Sequence, residues 1–183
     1  MTLVDQQAVV LITGISASGK STVAELLARR FEMGVHVRGD VFRRMIVSGR
    51  HEMTDPLTEE AMRQLRIRYR LGVITTEAYF QAGFSVVVQD VVLGASLATY
   101  ADMIRSRPLV VVALVPRPEV VERREAGRSK VAYRDGHFGI AALDDALRNA
   151  TPRIGLWLDT SDQTPEETVD EIVTRGLDEG QIA

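Results

Sequence analysis

Gly14-Ile15-Ser16-Ala17-Ser18-Gly19-Lys20-Ser21 meets the spacing G-x-x-x-x-G-K-[ST] in full, and each residue type in it has a chemical reason. A loop of small residues lets several backbone N–H groups converge on phosphate oxygens, and the N-terminus of a following helix adds its partial positive charge. Lys20 supplies a point charge for β- and γ-phosphates, and the Ser21 hydroxyl a ligand for a magnesium ion bridging them. A nucleoside triphosphate site is therefore expected, with Gly14, Ser16, Ala17, Ser18, Gly19, Lys20, Ser21 and Thr22 contacting the nucleotide, taken as ATP with Mg2+.

Two aspartates stand where a reacting group would be met. Asp40 closes Val37-Arg38-Gly39-Asp40 and Asp90 closes Val86-Val87-Val88-Gln89-Asp90, each just after an apolar run. In a parallel sheet ligands gather outside the carboxyl ends of the strands, so both carboxylates are candidates to face the loop. Asp40 suits a base that takes a proton from an attacking hydroxyl, or simply caps the helix that follows it. Asp90 suits a magnesium ligand, a contact to the acceptor, or a loop carboxylate with no ligand.

These groups need a frame to hold them. Ala8 to Thr13 is a nearly unbroken apolar run, as a buried parallel strand should be, and Thr22 to Phe31 carries helical periodicity. Further apolar runs at Val35 to Val37, Ser85 to Gln89, Leu109 to Val115 and Gly155 to Leu158 bring the count to five parallel strands. Helices are expected near 41–49, 58–82, 95–106, 118–126, 139–148 and 165–178, the last opened by Thr164 as cap, Pro165 and Glu167. Right-handed crossovers fold such a series into a three-layer α/β/α sandwich, one domain over residues 1–183.

Bulk properties narrow the partners. With 183 residues the chain suits one well-buried domain, and its net charge of −3 gives no global electrostatic case for nucleic acid or membrane. Cysteine is absent and no run is long enough to span a bilayer, so a soluble cytoplasmic protein is expected. Basic residues are almost all arginine, lysine occurring only at positions 20 and 130, while His36, His51 and His137 are too scattered to form a metal site.

The loop Gly14–Ser21, the segment Gly39-Asp40-Val41 and the segment Gln89-Asp90-Val91-Val92-Leu93-Gly94 together resemble small-molecule P-loop kinases of the nucleoside-monophosphate-kinase superfamily, in particular the chloramphenicol phosphotransferase-like group. That resemblance, spanning roughly residues 8 to 130, implies a catalytic base at Asp40 and transfer of the γ-phosphate of ATP to a hydroxyl of a small molecule, an antibiotic or a metabolite. Val115-Pro116 followed by Arg124-Glu125-Ala126-Gly127-Arg128 is similar to adenylate kinase, which implies Arg124 against the adenine and Arg128 on the transferring phosphates. A solvated, arginine-rich helix end is the alternative for both. Residues 123–137, with Lys130 and Arg134, would form a short lid, and Asp159-Thr160-Ser161 would lie beside the adenine.

Residues 41–83 depart from these families and would set the acceptor. They hold Arg43, Arg44, Arg50 and His51, then Arg63, Arg66 and Arg70 at helical spacing. If that helical face lines the cleft the acceptor is anionic; if it faces water, as charged stripes usually do, nothing follows. Tyr69, Tyr79, Phe80, Phe84 and Trp157 are expected in the core, and Arg38 has no assigned part. Besides a small-molecule phosphotransferase, the residues admit a nucleotide, nucleotide-sugar or polynucleotide 5′-kinase, or a regulatory ATPase.

Overall fold

A computed structural model describes residues 2–127 and 138–183. Five parallel strands lie in the order β2-β3-β1-β4-β5: β1 Val9–Thr13, β2 Gly34–Arg38, β3 Ser85–Gln89, β4 Leu109–Leu114 and β5 Leu156–Leu158. Helices α1 Lys20–Ala28, α2 Gly39–Arg44, α3 Glu59–Gln81, α4 Ser96–Met103, α5 Pro118–Ala126, α6 Ile140–Asp145 and α7 Pro165–Arg175 connect and cover them. The expected α/β/α sandwich with its five parallel strands is thus present.

Strands β1, β3 and β4 are buried at every position, which explains why their sequences read as continuous apolar runs. Alternate side chains still divide between the two faces. Val10, Ile12, Val110 and Val112 pack with Val23, Leu27, Val169 and Ile172 from α1 and α7. Val9, Leu11, Val88 and Val111 pack with Tyr69, Val73, Leu97 and Tyr100 from α3 and α4. The chain therefore leaves β1 toward one face and β3 toward the other, which opens a crevice between the carboxyl ends of these neighbouring strands.

Three local details differ from the periodicity. α2 ends at Arg44 instead of near 49, because a β-branched pair, Ile46-Val47, is followed by Ser48 and by Gly49 at φ +73°. α6 and α7 each run on into a π turn, Ala146–Ala150 and Gly176–Gly180. A two-residue strand β6, Gln181–Ile182, then pairs antiparallel with Leu109 and Val110 at the start of β4. It follows Gly180, where a Cβ would stand 2.8 Å from Val110 Cγ1, so only glycine lets the tail lie this close to the sheet. Among the described residues no helix is long and apolar enough to cross a membrane.

α3 is the element that positions the acceptor side. Thr58 caps it by accepting from the Ala61 N–H at 3.1 Å, and its 23 residues span about 34 Å at 1.5 Å each. Its buried stripe runs through Ala61, Tyr69, Gly72, Val73 and Thr76, with Gly72 admitting the Tyr100 hydroxyl where a Cβ would meet it at 2.4 Å. The Tyr69 and Tyr100 rings pack edge to face at 5.3 Å. Tyr69 and Phe80 join the core as expected, whereas Tyr79 is 43% exposed.

α7 begins with a reciprocal cap: the Glu167 N–H donates to Thr164 Oγ1 at 3.2 Å, and the Thr164 N–H donates to Glu167 Oε2 at 2.8 Å. Thr164→Ala is expected to lower stability by about 1 kcal/mol and the melting temperature by roughly 2–4 °C, read by thermal unfolding followed by circular dichroism. An unchanged midpoint would mean that the box contributes nothing.

Candidate active site

The loop between β1 and α1 is shaped by its backbone. Gly14 adopts φ +146° and Gly19 φ +98°, and a Cβ on Gly14 would meet the Leu114 carbonyl oxygen at 2.6 Å and Ser18 Oγ at 2.7 Å. Ala17 takes a left-handed φ of +62°, unusual for a side chain that offers no local hydrogen bond. The Ser18 N–H donates to Ile15 O at 3.2 Å, closing the turn, and α1 starts at once at Lys20. Lys20 is buried, 7% exposed, and its Nζ donates to Ile15 O at 2.6 Å. Ser21 Oγ accepts from Gln89 Nε2 at 3.3 Å, and the buried Ser18 Oγ has no hydrogen-bond partner among the described residues. A converging set of backbone donors with an ammonium, a hydroxyl and an unpartnered buried hydroxyl fits triphosphate oxygens and a magnesium ion.

One cavity of about 870 Å3 runs from this loop along the carboxyl ends of the strands. Residues 16–23 form its floor, Arg124 and Thr160 one end, and Asp40, Arg43, Arg44 and Arg50 the other. The strand order sets this sequence of groups, since β5 and β4 carry the Thr160 and Arg124 segments, β1 the loop, β3 Asp90, and β2 Asp40.

Asp40 lies in the first turn of α2, with Arg44 Nη1 at 3.4 Å and Arg38 Nε at 3.7 Å from its carboxylate. The N-cap position belongs to Arg38, so capping is not what places Asp40. Arg38 also gains a role here, as a charge beside Asp40. Arg124, in the last turn of α5, donates to Ser18 O at 3.2 Å and to Thr160 O at 3.0 Å, tying the loop after β1 to the loop after β5. Burial and the neighbouring Arg123 lower its pKa. Arg128, Lys130, Arg134 and His137 lie outside the described residues.

Asp90, expected to hold magnesium directly or through water, is engaged by protein donors in this structure. It is almost fully buried, its Oδ2 accepts from Arg68 Nε at 2.8 Å, and its Oδ1 accepts from Arg68 Nη2 and from the Val91 N–H. Burial pushes its carboxyl up against the opposing pull of Arg68 and Lys20. Gly39 stands directly against it, and a Cβ there would lie 1.9 Å from Asp90 Oδ2. The loop beyond is pinned by Thr13 Oγ1, which donates to Val92 O at 2.7 Å and accepts from the Val92 N–H at 3.1 Å.

On α3 the arginines at 63, 66 and 70 are exposed, with Arg63 held by Glu60 at 2.7 Å, so the stripe of positive charge faces water. Arg68 enters the cavity instead, away from the charged face that the periodicity of the other arginines marks. Its signal was a charged residue on the buried stripe, four residues before Gly72. Gln89, the last residue of β3, stands beside Ser21 with nothing in its spacing to mark it. At the acceptor end Arg43 donates to His51 O at 3.0 Å and to Glu52 Oε2 at 2.8 Å. Trp157 is a partly buried ring, with Arg153 over its face at 4.5 Å and its Nε1 donating to Ile154 O at 3.1 Å.

No curated protein sequence matches the chain. Solved structures do. A sugar kinase from Janibacter sp. HTCC2649 aligns with a TM-score of 0.67 at 24% identity over 94% of this chain and 95% of that one. The APS kinase of Mycobacterium tuberculosis, in complex with AMPPNP and APS, aligns at 0.62 and 19% identity over 92% and 96%. A tunicamycin resistance protein of Deinococcus radiodurans aligns at 0.64 and 15% identity over 97% and 99%. A protein-family model described as AAA domain matches residues 9–153, from β1 to the threshold of β5. With its phosphate loop, its strand order and that match together, the chain belongs to the AAA_33 family of AAA domains and has the P-loop kinase fold.

Proposed function

We propose that the protein is an ATP- and Mg2+-dependent phosphotransferase that moves the γ-phosphate of ATP to a hydroxyl of a small molecule. The observation that carries this reading is the single cavity joining the phosphate loop to Asp40, with the separate ends that a donor and an acceptor need. The fold shared with a sugar kinase and an APS kinase agrees with it.

Lys20 and the loop N–H groups hold the β- and γ-phosphates, and Arg124 stands at the base of the nucleotide, with Arg128 as a further phosphate contact. Ser21 holds the magnesium ion, with Gln89 orienting its hydroxyl; the ion, when bound, neutralises phosphate charge. Asp90 has both oxygens on protein donors, so Ser21 is taken as the direct ligand, with Asp90 reaching the metal through water if at all. Asp40 takes the proton of the acceptor hydroxyl as its oxygen forms the new bond to phosphorus and the bond from phosphorus to the ADP oxygen breaks. The products are ADP and a phosphate monoester. Arg44 and Arg38 stand beside Asp40, at 3.4 and 3.7 Å from its carboxylate.

The acceptor end is polar, lined by Arg43, Arg44, Arg50 and Glu52 with Met53, and suits a hydroxylated metabolite or antibiotic better than an apolar one.

The test is Mg2+- and ATP-dependent ADP release against a panel of amphenicols, nucleosides, nucleotide sugars, sugar acids and oligonucleotide 5′ ends. Lys20→Ala is expected to abolish turnover. Asp40→Asn is expected to lower kcat by about 10²–10⁴-fold with the Kd for ATP unchanged. Slow hydrolysis that needs no acceptor and ignores Asp40 would point to a regulatory ATPase instead. Arg124→Ala is expected to raise the Kd for ATP about tenfold, the loss of roughly one charged contact, in a calorimetric titration; an unchanged Kd would remove Arg124 from the nucleotide site.

A further inference from the structure

Arg68 is the charged side chain on the buried stripe of α3 that reaches the cavity, and its geometry is fixed from one side. Of its five N–H donors two are taken by Asp90, through Nε and Nη2. The remaining three, on Nη1 and Nη2, have no acceptor among the described residues, and the side chain lines the cavity while being only 14% exposed. A guanidinium so placed is a rigid fork with one edge anchored and the other offered to the cleft.

Its position along the cleft says what that edge meets. β3, which carries Asp90, lies between β1, which carries the phosphate loop, and β2, which carries Asp40. The electrostatics run the same way, with Lys20 acting on Asp90 and Asp40 acting on Arg68. Arg68 therefore stands between the cation of the loop and the base. In the phosphotransferase reading above, on which this step rests, that interval is where the phosphoryl group crosses from donor to acceptor.

We propose that Arg68 is a catalytic residue that grips the oxygens of the phosphoryl group during transfer, with Asp90 as the positioning residue that aims it. Charge spreads over three equatorial oxygens in that transition state, and a pre-aimed fork in a water-poor site stabilises it without reorganising. Gly39 belongs to the same device. Asp90 fits only because residue 39 has no side chain, and the next residue is Asp40, so the aim of the arginine and the placement of the base are set by one stretch of backbone.

The experiment needs no knowledge of the acceptor. The affinity for ADP with Mg2+ is measured by calorimetry with and without aluminium fluoride, which mimics the phosphoryl group in flight. In the wild-type protein fluoride should tighten ADP. In Arg68→Met and Arg68→Lys the ADP affinity alone should hold, while about 10²-fold of the tightening should disappear. Asp90→Asn should lose a similar amount, and the double variant Arg68→Met with Asp90→Asn no more than either alone, since both act through one contact. The double variant removes both buried charges together, so the measurement survives if a lone charge prevents folding.

Full tightening retained in folded Arg68→Met, or in the double variant, overturns the proposal and leaves the kinase reading standing. Wild-type protein that binds ADP but gains nothing from fluoride overturns the proposal. A raised Mg2+ requirement in Asp90→Asn with normal tightening at saturating Mg2+ assigns Asp90 to the metal and overturns the positioning role.

Discussion

The parallel alignment of β2, β3, β1 and β4 is the constraint from which the site follows. Parallel strands all end on the same side of the sheet, so four loops from distant parts of the chain must meet there whatever their sequences. Hydrogen-bond register fixes the spacing: Ile12 lies beside Gln89 on one side and Val112 on the other, and Arg38 lies beside Gln89 across β3. Neighbouring strands are about 4.8 Å apart, so the groups after β4, β1, β3 and β2 fall within a few strand widths. That is the scale of a triphosphate with a second small molecule beside it.

Within this frame a costly local arrangement is the buried ion pair of Arg68 and Asp90. Burying two charges carries a desolvation penalty that mutual attraction only partly offsets, and apolar residues of similar size often give a more stable protein. Stability alone does not account for it. The pair also shapes what surrounds it: Gly39 gives up its side chain for the Asp90 carboxylate, and Tyr69 turns its hydroxyl to the neighbouring Val91 carbonyl at 2.8 Å. Burial pushes the Tyr69 hydroxyl pKa up, so it serves as a neutral donor there.

What could be read from the sequence was whatever repeats or follows a fixed spacing. The apolar runs located all five parallel strands, and the phosphate loop declared itself because backbone geometry dictates its glycines. Thr164 and Glu167 marked the start of α7 for the same reason, a local bond with a fixed offset. Arg68 escaped because its meaning is non-local: the partner, Asp90, is 22 residues away and on another layer. Asp90 itself was legible as a strand-end carboxylate but not as an occupied one, since spacing says nothing about which cation arrives. β6 was hidden because two residues carry no period, and its pairing depends on Gly180 passing close to Val110.

Lys20 and Arg124 show how the nucleotide end is organised before any chemistry. Each donates to a carbonyl of the phosphate loop, Lys20 to Ile15 and Arg124 to Ser18, so two cations brace the backbone whose N–H groups must converge. A phosphate oxygen, being itself charged, is a stronger acceptor than a carbonyl for a charged donor. Exchanging Ile15 O for a phosphate therefore favours binding without unmaking the loop, because Gly14 and Gly19 hold their left-handed conformations irrespective of the lysine. Arg124 has a second tie, to Thr160, which keeps the segments after β4 and β5 together. The loop is thus held by the backbone geometry of its glycines together with the two cations that brace it.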